Sequence, residues 1–133
     1  MQVLKSAWAD IALRGTAPQS PLLVGLAPAL AQAIEADLGR ACCAIGFRSL
    51  SREMLAALQP RLVIAELVGR DHDGIEIADR LHALGFVGQL RLIAPSVPRP
   101  CLIRREIAAA TEGRIDVDIL PLPRAAGPAA RLN

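Results

Sequence analysis

The sequence predicts an α/β domain with a five-stranded, mostly parallel sheet, and three observations carry that prediction. Short, largely apolar runs recur at Leu22–Leu26, Leu62–Leu67, Leu90–Ala94 and Ile115–Leu120. Segments with apolar residues at helical spacing alternate with them. Proline or glycine punctuates most of the boundaries. Strands that alternate with helices point to parallel pairing through right-handed crossovers. The order read from the chain is (βα)₄β, with one added helix in front and no clear fifth helix behind.

Each element has its own local reason. Val3 to Leu13 places Leu4, Ala7, Trp8 and Ile11 on one helical face, and the stretch from Gly15 to Pro21 reads as a linker. Leu22 to Leu26 is a continuous apolar run, as expected for a central strand buried on both sides. Pro28 suits the first turn of a helix; Leu30, Ile34 and Leu38 follow at intervals of four, and Gly39 stands at the C-terminal cap. Ala41 to Phe47 reads as a second strand. Ser49 or Ser51 caps the next helix, whose apolar residues are Met54, Leu55 and Leu58 and which Pro60 stops. After the third strand, Asp73 and Glu76 have the capping-box spacing for a helix carrying Ile77, Leu81 and Leu84 and ending at Gly85. The fourth helix spans Cys101 to Ala110, with Leu102, Ile103 and Ile107 as its apolar residues, and Gly113 follows it. In the fifth strand Asp116 and Asp118 alternate with Ile115, Val117 and Ile119, the pattern of a strand wet on one face. After Pro123 only ten residues remain, with Gly127 and Pro128 among them, which is poor material for a helix. The chain divides into an N-terminal helix and linker (1–20), a main domain (21–124) and a tail (125–133).

Composition narrows the function classes. A chain of 133 residues holds one ordinary domain, and 53% hydrophobic content supports a packed core. The net charge of +2 and the aromatic set of Trp8, Phe47 and Phe86 offer neither a basic stripe nor a stacking platform, so no nucleic-acid partner is expected. No apolar run approaches the roughly 20 residues that span a bilayer, so no membrane is expected either. The start of the chain lacks signal-peptide design, and the expectation is a cytoplasmic protein. Cys42, Cys43 and Cys101 lack metal-ligand spacing and read as buried, reduced thiols.

Over residues 22–123 the chain resembles the receiver domain of response regulators. Leu22-Leu23-Val24-Gly25-Leu26-Ala27-Pro28-Ala29-Leu30 is similar to a receiver's first strand and helix, with the acidic pair replaced by Gly25 and Leu26. Leu62 to Glu66, followed eight residues later by Gly74 of Asp73-Gly74, matches the spacing from the phospho-acceptor aspartate to the third helix. Leu120-Pro121-Leu122-Pro123 resembles the family's Leu-Pro-Lys-Pro, with Leu122 in place of the lysine. Ala94 matches the threonine or serine position, with Ser96 an alternative register, Ile119 the switching aromatic, and Arg70 a position that is often proline. Transfer of a phosphoryl group to a carboxylate needs cations and hydroxyl donors converging on it, and these replacements remove them. Of the acceptor chemistry only Glu66 survives, either as a fixed mimic of a charged state or as drift, with Arg70 and Arg91 as candidate partners.

The resemblance implies a degenerate, phosphorylation-independent interaction module of bacterial signal transduction. It carries no catalytic residue, metal or cofactor, and its partner is a histidine kinase, regulator or output protein. Arg99, Arg104 and Arg105 lie on the face that receivers use for partners. Leu4, Trp8 and Ile11 join that interaction surface, and a homodimer is expected because a sheet without a fifth helix leaves apolar surface to cover. Two alternatives stay open: an atypical regulator phosphorylated at Glu66 or Asp71, and a small flavodoxin-like enzyme or ligand-binding domain. Asp71-His72-Asp73 lacks a second His or Cys at ligand spacing, and Asp73 is accounted for as a cap. His82 reads as a surface residue.

Overall fold

The computed structural model describes residues 20–69, 72–95 and 99–123. Five strands, β1 (Leu22–Val24), β2 (Cys43–Ile45), β3 (Leu62–Glu66), β4 (Gly88–Ile93) and β5 (Ile115–Leu120), form one all-parallel sheet in the order β2-β1-β3-β4-β5. The described helices are α1 (Pro28–Leu38), α2 (Arg52–Leu58), α3 (Gly74–Ala83) and α4 (Pro100–Ala110). This is the doubly wound, flavodoxin-like α/β architecture that the alternating pattern predicts. The expected N-terminal helix with Leu4, Trp8 and Ile11, and the tail where a fifth helix is expected to be missing, lie outside the described residues.

Position in the sheet explains which strands the sequence announces. β1, β3 and β4 are interior, and Leu22, Leu23, Val24, Val63, Ile64, Leu90 and Leu92 are all buried. Such strands need apolar side chains on both faces, which produces unbroken runs rather than alternation. β2 and β5 are the two edges. The expected second strand from Ala41 to Phe47 contracts to Cys43–Ile45, because it pairs only with the three residues of β1. Gly25 leaves the extended conformation with φ +67, ending β1 before Leu26. Phe47 begins a short 3₁₀ turn, Phe47–Ser49, instead of extending the strand.

The side chains sort onto two faces. On one, Leu22, Val24, Val63, Ala65, Leu90, Leu92 and Ile115 pack with residues of α2, α3 and α4, including Leu55, Ile77, Leu81 and Ile107. On the other, Leu23, Leu62, Ile64, Ile93 and Leu120 share a cluster with Ala31, Ile34 and Leu38 of α1. Each fully buried Leu or Ile stabilises the fold by about 1.5–3 kcal/mol relative to exposure. Of the two candidate caps for α2, Ser51 is the one used: its Oγ accepts from Met54 N at 3.1 Å. Gly39 closes α1 in the left-handed conformation, φ +70. Among the described residues no helix is long and apolar enough to cross a membrane.

Candidate functional site at the carboxyl ends of the strands

In open sheets of this kind ligands bind outside the carboxyl ends of the strands where the strand order reverses. Here that point lies between β1 and β3. Leu23 pairs with Ile64, so continuing the register by two residues sets Gly25 level with Glu66. Gly25 N donates to Ile45 O at 2.8 Å, which ties the turn after β1 to the end of β2. Glu66 is half-buried.

The other candidate positions line the same edge, but as packing groups. Leu26 and Leu122 are half-buried and join the α1 side of the core. Ala94 is buried, and its amide donates to Leu120 O at 2.9 Å. Ile119 packs, half-buried, on the opposite face. Among the described residues no three His, Cys, Asp or Glu side chains converge.

Sequence reasoning weighed His72 only within Asp71-His72-Asp73 and set it aside, yet the structure gives it a defined place at this edge. It is only 7% exposed, and its ring stacks on Phe47 with centroids 5.0 Å apart and planes at 17°. The ring also fills the space above Gly25. A methyl group on Gly25 would lie 2.2 Å from His72 Cε1 and 2.7 Å from Nε2. Gly69 N donates to His72 O at 2.9 Å, and an isolated bridge joins Val68 to Asp73, so the backbone beside the ring is pinned. Among the described residues neither ring nitrogen has a hydrogen-bond partner. An enclosed polar group left unsatisfied costs about 1–3 kcal/mol. No periodicity could announce this arrangement, because Gly25, Phe47 and His72 belong to three separate loops. The one available signal was a glycine standing where a strand normally carries a side chain.

Asp73 is engaged locally. Its Oδ1 accepts from Glu76 N at 2.8 Å while Glu76 Oε1 accepts from Asp73 N at 3.1 Å, the complete capping box. Arg91, one of the two candidate partners for Glu66, directs its donors elsewhere. Nη1 reaches Asp116 O at 2.7 Å and Leu90 O at 3.2 Å, and Nη2 reaches Asp116 Oδ2 at 3.2 Å. Arg70, the other candidate, and Asp71 lie outside the described residues, as does Ser96.

On the α4 side, Arg99 is the exposed N-cap residue, in the left-handed conformation. Arg105 is exposed, and Arg104 is half-buried, donating to Asp118 Oδ1 at 3.3 Å and Cys101 Sγ at 3.2 Å. The Cys101 thiol and the Asp118 carboxylate hold the Arg104 pKa above its ordinary value. Cys101 is exposed on the first turn of α4, contrary to the expectation of three buried thiols. Cys42 is half-buried; burial, helped by the Glu35 carboxylate, pushes its pKa up to about 11. His82 is half-buried rather than a bare surface residue, with Nε2 3.2 Å from Glu112 Oε1. Comparison with protein-family models, curated proteins and solved structures finds no match for this chain.

Proposed function

We propose that this chain is a degenerate receiver-type domain that works as a phosphorylation-independent protein-interaction module in bacterial signal transduction. The observation that carries the reading is the edge between β1 and β3. Where a receiver needs an acidic pair, it has Gly25 and Leu26, with the imidazole of His72 packed over the glycine. Glu66 alone is a poor magnesium site, since magnesium requires an octahedral shell of oxygen ligands. Leu122 and Ala94 replace the ammonium and hydroxyl that steady a phosphoryl group in flight, and both side chains are absorbed into packing. A signalling fold with that edge acts through its surface, and its partner is a kinase, regulator or output protein of the pathway. Twofold self-association covers the remaining apolar surface.

The test is titration with magnesium to millimolar levels while following backbone amide shifts, together with incubation with acetyl phosphate. No response localised at Gly25 and Glu66 and no covalent phosphate are expected. A saturable magnesium response there, or phosphate incorporated at an acidic residue, would favour an atypical phospho-acceptor and overturn the module reading. Native co-purification then identifies the partner.

A further inference from the structure

We propose that the outer edge of β2 is a self-pairing surface: it takes β2 of a second copy of this chain as an antiparallel neighbour, about a twofold axis at Ala44. The surface is a sheet edge, distinct from the apolar face of the proposed module, and the pairing stands whether or not the domain takes a phosphoryl group.

The two edges of the sheet are finished differently. On β5, Asp118 Oδ1 accepts from Ile119 N at 2.8 Å, and Asp116 and Asp118 place carboxylates along the strand. Charged side chains are a usual protection of an edge strand. β2 offers only Cys42, Ala44 and Gly46 at its outer positions. Cys43 N donates to Pro21 O at 2.9 Å and Ile45 O accepts from Gly25 N at 2.8 Å, so these two residues face β1. Ala44, between them, turns its N–H and C=O outward. The same alternation turns Cys42 outward, and Gly46, which is still extended at φ −81 and ψ 161. Ala44 and Gly46 are exposed, and nothing lies within 4 Å of where a Cβ on Gly46 would stand. Another backbone can therefore approach without meeting a side chain.

What selects a second copy is the pattern of free and occupied groups. Among the described residues, Ala44 N–H and C=O, Gly46 N–H and Cys42 C=O have no partner. The other two outward groups are occupied: Cys42 N donates to Glu35 Oε2 at 2.8 Å, and Gly46 O accepts from Ser49 N at 3.0 Å. In an antiparallel pair centred on Ala44, that residue exchanges both bonds with its own copy, and Cys42 stands opposite Gly46 of the second copy. Each free Gly46 amide then meets a free Cys42 carbonyl, while the two occupied groups face each other. Centring the pair on Cys42 or Gly46 instead sets an occupied group against a free one. The same register brings Cys43, half-buried on the α2 side, opposite Ile45 of the second copy, with Cα atoms about 4.5 Å apart. The apolar surface left on both is covered there.

The experiment uses the full chain. Sedimentation equilibrium over a range of concentrations should show monomer and dimer in exchange. Amide hydrogen exchange over the same range should show Ala44 and Gly46 gaining protection as the dimer fills, with Cys42, already bonded to Glu35, unchanged. Ala44→Lys and Ala44→Glu each set like charges opposite one another at an exposed position, and each should weaken self-association about tenfold or more. An equimolar mixture of the two variants should restore a heterodimer, because the facing charges are then opposite. A chain that is monomeric throughout, or a dimer that neither substitution weakens, overturns the proposal. Failure of the mixture to reassociate overturns it as well, since position 44 then does not face itself. Protection of Ala44 and Gly46 that is independent of concentration assigns the edge to another segment of the chain and also overturns the pairing.

Discussion

Gly25 and His72 compete for one volume. The backbone at Gly25 is left-handed, φ +67, and the ring edge stands where a Cβ would be. A non-glycine residue in that conformation costs roughly 1–2 kcal/mol before any clash. Gly25→Ala should therefore destabilise the domain by more than this, since the methyl must also displace an imidazole wedged between Phe47 and the glycine. His72→Ala removes the obstacle and leaves only the backbone term. In a double-mutant cycle measured by urea unfolding, the two substitutions should couple by about 1 kcal/mol or more, the double variant being more stable than the sum predicts. Additive losses would mean that the ring is easily moved and does not define the edge. The same geometry explains why restoring an acid at Gly25 alone cannot rebuild a metal site: the carboxylate would have to enter space the ring already holds.

At the scale of elements, α3 is the piece whose start is fully specified by its own residues. Asp73 and Glu76 satisfy one another's amides three positions apart, and Gly74 N donates to Leu67 O at 2.7 Å, fastening the helix to the end of β3. Asp73→Ala should cost about 1 kcal/mol, the usual loss when an N-cap acceptor is removed. Thermal or urea unfolding checks the magnitude. Amide exchange at Glu76 should quicken beyond the global change, because its partner is gone. A loss below a few tenths would show that the bond to Leu67, not the box, anchors the helix. This element is legible because its interactions span three residues. β2 is the opposite case: its length depends on β1, more than twenty residues earlier in the chain, and on Gly25 turning away.

The whole molecule is asymmetric about its sheet. α2, α3 and α4 pack on one face, whereas α1 is the only helix of the described residues that contributes to the other. On that second face the β4–β5 half carries Arg91, buried, with Asp116 and Asp118, whose side chains are 64% and 46% exposed. The ion pair and the carboxylates keep that half compatible with water, and Ile119 N bonds to Asp118 Oδ1 at 2.8 Å at the edge strand. In sequence, Leu4, Trp8 and Ile11 have the spacing of an apolar helical stripe, and the proposed module would use that stripe to cover this face. Deleting residues 1–20 should accordingly yield a species that aggregates or melts at lower temperature, and the intact chain should elute as a dimer from a sizing column. A well-behaved monomer of unchanged melting temperature after the deletion would assign the segment no part in covering the sheet.

The sequence by itself determined the alternation of strands and helices, the central place of β1, and the caps at Asp73 and Gly39. All of these follow from interactions within a few residues or from a strand's need for apolar side chains on buried faces. The extent of β2, the engagement of Arg91 with Asp116, the exposure of Cys101 and the seating of His72 over Gly25 were decided only by tertiary structure. Each depends on residues far apart in the chain meeting in space: His72 contacts Gly25 and Phe47 because parallel strands deliver their loops to one edge of the sheet. Burying an imidazole with no hydrogen-bond partner among the described residues costs free energy, and the packing of three loops around the ring offsets it.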